Sequence, residues 1–247
     1  KTEPGKLIKD GIDAMLESLD PYTVYIPESR MEDYQLMTTG SYGGIGAIIR
    51  QSGDFVAIIE PYEASPAVKA GLQAGDLIMS IDGKSIRGKN SSDVSDLLKG
   101  QPNSVLKLEI KRPGIEDVKN FEITREKIQM SNVPYFGLIN EKTGYILLTG
   151  FTEKAGQEVK KALVELKEKQ KIESVILDLR GNPGGLLNEA VVISNLFVNK
   201  GQEVVSTKGK VKQWDKVYLA TDDPVDIKIP VVVLVNSGSA SASEIVS

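Results

Sequence analysis

Residues Ile229 to Val235 form an apolar, largely β-branched run that passes directly into Asn236-Ser-Gly-Ser-Ala-Ser-Ala-Ser-Glu-Ile-Val-Ser247. Such a run reads as a buried strand of a parallel sheet, and the small residues after it allow a tight turn into a helix. A serine at that turn stands at a helix N-terminus, beside amide N–H groups that have no intrahelical partner and are able to receive a developing oxyanion. Ser241-Ala-Ser-Glu244 is equally a capping box, in which Ser241 caps the helix and Glu244 reaches back to it. On these residues alone both readings stand.

Two absences bound the chemistry. No histidine occurs in the 247 residues, which excludes a Ser-His-Asp triad, a histidine base and histidine-ligated metals. No cysteine occurs either, removing thiolate nucleophiles, the usual structural zinc sites and disulfides. A nucleophilic serine would then need a neutral lysine as base, or less readily a carboxylate. A formal charge of -4 with 40% hydrophobic and 26% charged residues describes an ordinary soluble globular chain and argues against a nucleic-acid partner. No apolar stretch reaches membrane-spanning length. The opening Lys1-Thr-Glu-Pro-Gly is neither a signal peptide nor an initiation site, so removal of an upstream targeting segment is expected.

Apolar spacing predicts a helix over Leu7 to Leu19, an extended Tyr22 to Ile26, and a short helix from Glu28 to Met37. A small β-rich unit begins at Thr38. It contains a hairpin over Ile48 to Ile59, a helix after Ser65-Pro66 that Gly71 ends, a strand over Gly75 to Ile81, a helix over Ser92 to Leu98, and a strand over Val105 to Ile110. From Phe121 strands and helices alternate: strand Thr143 to Thr149, helix Glu153 to Lys169, strand Ser174 to Leu179, helix Leu186 to Phe197, and strands over 203–207 and 216–220. Two strand, Gly-rich loop, helix units thereby converge on one sheet edge, where α/β folds place their sites.

The two loops carry complementary groups. Gly184 and Gly185 bring bare amides toward a reacting carbonyl, while Ser241 supplies a hydroxyl and Ala242 a second amide. Asp178 reads as an anchor for Arg180 or loop amides, and Asn182 and Asn236 as turn residues bonded to nearby backbone. No Gly-Lys-Ser/Thr follows the glycines, so this is not a phosphate loop.

Tyr42-Gly-Gly-Ile-Gly-Ala47, Ser65-Pro66-Ala67, Ala70 to Ile78 and Ile81-Asp-Gly-Lys84 together resemble a PDZ domain of bacterial proteases. That resemblance makes Gly43, Gly44, Ile45, Gly46 and Ala47 the carboxylate-binding loop and the following strand the edge to which a peptide adds. The physics agrees, since successive amides form an anion nest. Glycines that merely allow positive φ before a strand are the competing reading.

Leu177-Asp-Leu-Arg-Gly-Asn-Pro-Gly-Gly-Leu186 and Asn236 to Ile245, with Leu19 to Pro27 ahead of them, resemble the carboxyl-terminal processing peptidases, also called tail-specific proteases. The resemblance implies a multidomain α/β fold: an N-terminal helical segment over 1–37, an inserted PDZ-like domain over 38–118, and a ClpP/crotonase-like ββα core over 119–247. It implies a serine/lysine endopeptidase acting near protein C-termini, with Ser241 as nucleophile. The oxyanion hole would take the amide of Ala242 and one from Gly184 or Gly185, with Gly184 favoured. Implied partners are proteins or peptides with apolar C-termini, with homo-oligomerisation left open. No cofactor or metal is implied, and the expected place is the bacterial periplasm or the outer face of the cytoplasmic membrane. Family members carry the base lysine downstream of the serine, and here no lysine follows Ser241, so this stretch is expected to be inactive by itself. A non-catalytic PDZ-type scaffold is the alternative, and an acyl-transfer enzyme acting on thioesters a third reading.

Overall fold

A computed structural model describes residues 4–20, 23–27 and 31–247. Among the described residues two helices come first, α1 (Pro4–Glu17) and α2 (Met31–Thr39). The start of the helix expected from Glu28, and Tyr22 of the extended stretch, lie outside the described residues. Although Leu7, Ile8 and Met15 recur at helical spacing along α1, all three are exposed.

The next elements are β1 (Ser41–Gly44), β2 (Ala47–Ser52), β3 (Phe55–Pro61), α3 (Pro66–Ala70), β4 (Leu77–Ile81), β5 (Lys84–Ser85), α4 (Ser91–Leu98), β6 (Val105–Lys111), β7 (Val118–Thr124) and β8 (Glu126–Gln129). Strands β2-β3-β4-β6-β7 form an antiparallel sheet in that order, with β5 beside β4. Ile58, Ile78, Leu106 and Leu108 pack with Ala67 and Val94 of the helices as one apolar core. Ser65 caps α3, accepting from Val68 N–H, and Gly71 ends it at φ 86°, where glycine carries no Cβ penalty. The small sheet runs past the expected boundary at 118, because β7 pairs with β6 through Thr124. A two-stranded antiparallel ribbon of β1 and β8 joins this unit to the rest.

The core comprises β9 (Tyr135–Asn140), β10 (Thr143–Leu147), α5 (Ala155–Gln170), β11 (Ser174–Asp178), α6 (Leu187–Asn195), β12 (Glu203–Thr207), β13 (Lys216–Leu219), β14 (Val231–Leu234) and α7 (Ala242–Val246). Its sheet has the order β14-β11-β10-β9, parallel across β10, β11 and β14 and antiparallel at β9. Alternation along β10 and β11 buries Ile146, Val175 and Leu177 against Val159, Leu163 and Leu166 of α5 and Ala190 and Ile193 of α6. Tyr145 and Ile176, on the other face, are only half-buried.

Two expectations need correction. The core is not the ClpP/crotonase-like ββα arrangement: its four strands make one open sheet, and β12 and β13 pair with each other alone instead of adding a second strand layer. What holds is a multidomain α/β architecture with a separate PDZ-like β-rich insert. The run 229–235 is also not fully buried, because β14 is an edge strand and Val232 is 54% exposed. Among the described residues, no helix is long and apolar enough to cross a membrane.

Candidate active site

Strands β11 and β14 are parallel neighbours, so the chain leaves both at the same sheet edge. Side chains there tie the two outgoing loops together. Asn236 Oδ1 accepts the Gly181 and Gly238 amides at 2.8 and 2.9 Å. The Ser239 hydroxyl donates to the Leu179 carbonyl at 2.7 Å. Asn182, fully buried, donates through Nδ2 to the Leu148 carbonyl at 2.9 Å, and its own carbonyl accepts the Ala240 amide and the Ser243 hydroxyl. Both asparagines thus act beyond the local turn role that their sequence context suggested.

Ser241 is the exposed first residue of the turn into α7, at φ 54° and ψ -114°. A positive φ at a residue with a Cβ is costly and persists only where the surroundings impose it. The Glu244 half of the capping box forms here, the Ser241 amide donating to Glu244 Oε2 at 2.7 Å, while the Glu244 amide donates to the Ser241 main-chain carbonyl at 2.9 Å. Gly184, at φ +98°, is packed directly against this turn. A Cβ there would stand 2.6 Å from the Ala240 carbonyl oxygen, 2.8 Å from Ala242 N and 2.9 Å from Ser241 Cβ. Ser241, Ala242 and the Gly184-Gly185 pair are therefore brought together.

The amides divide the two glycines. Gly184 N–H donates to Asn182 Oδ1 at 2.9 Å. Those of Gly185 and Ala242 have no protein acceptor among the described residues. On the far side of the loop, Phe151 N–H donates to the Gly184 carbonyl at 3.1 Å and Leu186 N–H to the Phe151 carbonyl at 2.7 Å. Of the two glycines, Gly185 has the amide without a protein acceptor, whereas that of Gly184, favoured from the sequence, is already bonded.

Asp178, at the end of β11, is 2% exposed and receives Arg180 through its main-chain N–H and guanidinium, together with the Tyr145 hydroxyl at 2.7 Å. The Arg180 guanidinium foremost, then the Tyr145 hydroxyl and the Arg180 amide, outweigh burial and hold the carboxyl at about 2, below its ordinary 3.8. It stays ionised as an anchor. Lys208 and Lys210 sit on the exposed stretch between β12 and β13, and neither bonds to Ser241. Among the described residues no cluster of acidic side chains is arranged to hold a metal ion.

In the small unit, Gly43 and Gly44 belong to β1 and are constrained by close packing: a Cβ on Gly43 would meet the Gly100 carbonyl at 2.0 Å. Only Gly46 of this loop has positive φ, at +71°. The Ile45 and Gly46 carbonyls accept the Ala67 and Tyr62 amides, while their own N–H groups have no protein acceptor among the described residues. Strand β2 follows as the sheet edge, and a groove lined by Ile45, Ala47, Ile49, Ser95 and Leu98 runs between it and α4. Burial foremost, with Tyr62 nearby, pushes the Tyr42 hydroxyl at this groove up to about 12.

Residues 142–247 match the sequence profile of Peptidase family S41, and residues 58–112 that of the PDZ domain. The photosystem II D1 C-terminal processing protease aligns with 100% of this chain and 67% of its own, at 30% identity and a TM-score of 0.50. The chain belongs to the S41 carboxy-terminal processing protease family. The carboxy-terminal-processing protease of Bartonella bacilliformis is 38% identical over 98% of the chain. The carboxy-terminal processing protease CtpA of Bacillus subtilis is 35% identical over 100% of it. The chain spans 56% and 52% of these relatives' lengths, about half.

Within this S41 chain, sequence reasoning missed Tyr145 and Asn132. The only signal for Tyr145 was its position in a strand beside the one that carries Asp178. Asn132 lies in a stretch without periodicity, and nothing in the sequence marked it.

Proposed function

We propose that the protein to which these residues belong is a serine endopeptidase that cleaves proteins near their C-termini. The observation that carries this reading is the seating of Ser241 against Gly184, with the Gly185 and Ala242 amides left without protein acceptors. Ser241 Oγ attacks the scissile carbonyl and its proton passes to a neutral lysine. The tetrahedral oxyanion is held by the Ala242 and Gly185 N–H groups, and collapse breaks the C–N bond as the lysine returns its proton to the departing amine. Water, deprotonated by the same lysine, then releases the acyl group and restores the Ser241 hydroxyl. By family resemblance, we assign the base to a lysine downstream of Ser241.

Substrate capture belongs to Gly43–Ala47. The free Ile45 and Gly46 amides suit a terminal carboxylate, the edge of β2 an extended chain, and the Ile49–Leu98 groove an apolar last side chain. We divide the chain into a helical segment over 1–37, a peptide-binding unit from 38 that is carried past 118 to Thr124 by β7, and a catalytic core from there to 247. We place the enzyme in the bacterial periplasm or on the outer face of the cytoplasmic membrane.

A peptide-binding scaffold is the second reading, since the free Ile45 and Gly46 amides beside the β2 edge would serve capture without cleavage equally well. Calorimetry with peptides ending in apolar residues tests the capture step. Free-acid peptides are expected to bind at least about tenfold more tightly than amidated ones, and equal affinities contradict it. Cleavage by a chain that carries the downstream lysine separates enzyme from scaffold.

A further inference from the structure

Asn132 lies in the connection between β8 and β9 and is 3% exposed. Its Oδ1 accepts both the main-chain N–H of Thr152, at 3.0 Å, and the Thr152 hydroxyl, at 2.9 Å. Its main-chain carbonyl accepts the Thr149 amide at 2.9 Å. One buried residue thus clamps both ends of the 149–152 segment. Asn132 is itself held, since Nδ2 donates to Glu158 Oε1 at 3.0 Å while Glu158 Oε2 takes the Ser131 hydroxyl and the Val133 amide.

Inside that segment sits Phe151, fully buried, whose N–H donates to the Gly184 carbonyl. The Gly184-Gly185 peptide is planar and trans, so pinning its carbonyl on Phe151 turns the Gly185 N–H to the opposite side. Two adjacent glycines resist a peptide rotation less than residues with a Cβ do. The Phe151 contact therefore decides which way that amide points.

We infer that Asn132 is a positioning residue for the oxyanion site: through Thr149 and Thr152 it fixes the Phe151 main chain, which sets the direction of the Gly185 amide. This rests on the reading of Gly185 as an oxyanion donor, but its test does not depend on cleavage.

The test uses 15N-labelled protein of these 247 residues. Asn132→Ala is expected to raise hydrogen exchange at the Phe151 and Leu186 amides about tenfold and to shift the Gly185 resonance, leaving Ile45, Gly46 and Ala47 unmoved. Thr152→Val, which removes one hydroxyl, gives the same changes to a smaller degree and decides alone if Asn132→Ala does not fold. Asn132→Asp sets a second carboxylate against Glu158, and adding Glu158→Gln restores a donor–acceptor pair with the roles reversed. The paired variant is expected to return the three signals toward wild type. A folded Asn132→Ala protein with unchanged Phe151, Leu186 and Gly185 signals overturns the inference. So does a paired variant that fails to recover them, or a shift spread evenly over the core. Should Ser241 prove not to be the nucleophile, the exchange result would still stand or fall separately.

Discussion

A Cβ on Gly184 would lie 2.9 Å from the Cβ of Ser241, so the loop after β11 and the turn after β14 occupy each other's side-chain space. Gly184→Ala must push the serine turn aside while holding a positive φ. It is expected to cost about 2–4 kcal/mol in chemical denaturation. Gly181→Ala is the control: its φ is +72° but a Cβ there meets nothing within 4 Å, so a cost of about 1 kcal/mol is expected. Equal costs would show that the close approach carries no weight.

Glu244 holds the Ser241 amide from the solvent side of α7. Glu244→Ala removes that half of the capping box and is expected to cost about 1 kcal/mol, read by thermal unfolding. Glu244→Gln keeps an acceptor and is expected to recover most of it.

Asp178 links stability to pH. Its carboxyl titrates lower in the folded protein than in the unfolded chain, so its contribution is present above the ordinary 3.8 and is lost as pH falls toward about 2. Asp178→Asn is expected to cost about 2 kcal/mol at neutral pH. In denaturation at a series of pH values, the gap to wild type should shrink below 3.8 and close near 2. A gap independent of pH would rule out the charged anchor.

Gly46→Ala brings a Cβ to 2.6 Å from Ser65 Cβ, at a φ of +71° and beside the residue that caps α3. It is expected to destabilise the small unit by about 2–4 kcal/mol. Peptide affinity should therefore be compared only after folding has been checked by circular dichroism. A variant that stays fully stable would mean that the loop yields where the structure shows it packed.

Much of this was legible in sequence because it rests on local chemistry. The Ser174–Asp178 strand, the Ser65-Pro66 helix start with its Gly71 stop, and the capping box at Ser241 depend on periodicity and caps spanning a few residues. What stayed hidden depends on partners far away in the chain. Gly184 and Gly185 look alike in sequence, and only the Asn182 side chain and the main-chain bridge to Phe151 distinguish their amides. The run 229–235 is as apolar as a central strand, yet its β14 portion lies at an edge because no described strand pairs beyond it. The ββα core was inferred by resemblance, and the pairing of β12 with β13 alone is a matter of topology that composition does not encode.

The most direct test of the central claim is cleavage of a protein with an apolar C-terminal tail by two matched chains, both extended through the family's downstream lysine and differing only by Ser241→Ala. The serine form is expected to cleave, with a rate that rises as pH passes the pKa of the proposed lysine base. The alanine form is expected to lose turnover while keeping its affinity for the tail. Undiminished cleavage by a folded Ser241→Ala protein, with contaminating protease excluded, would contradict the account.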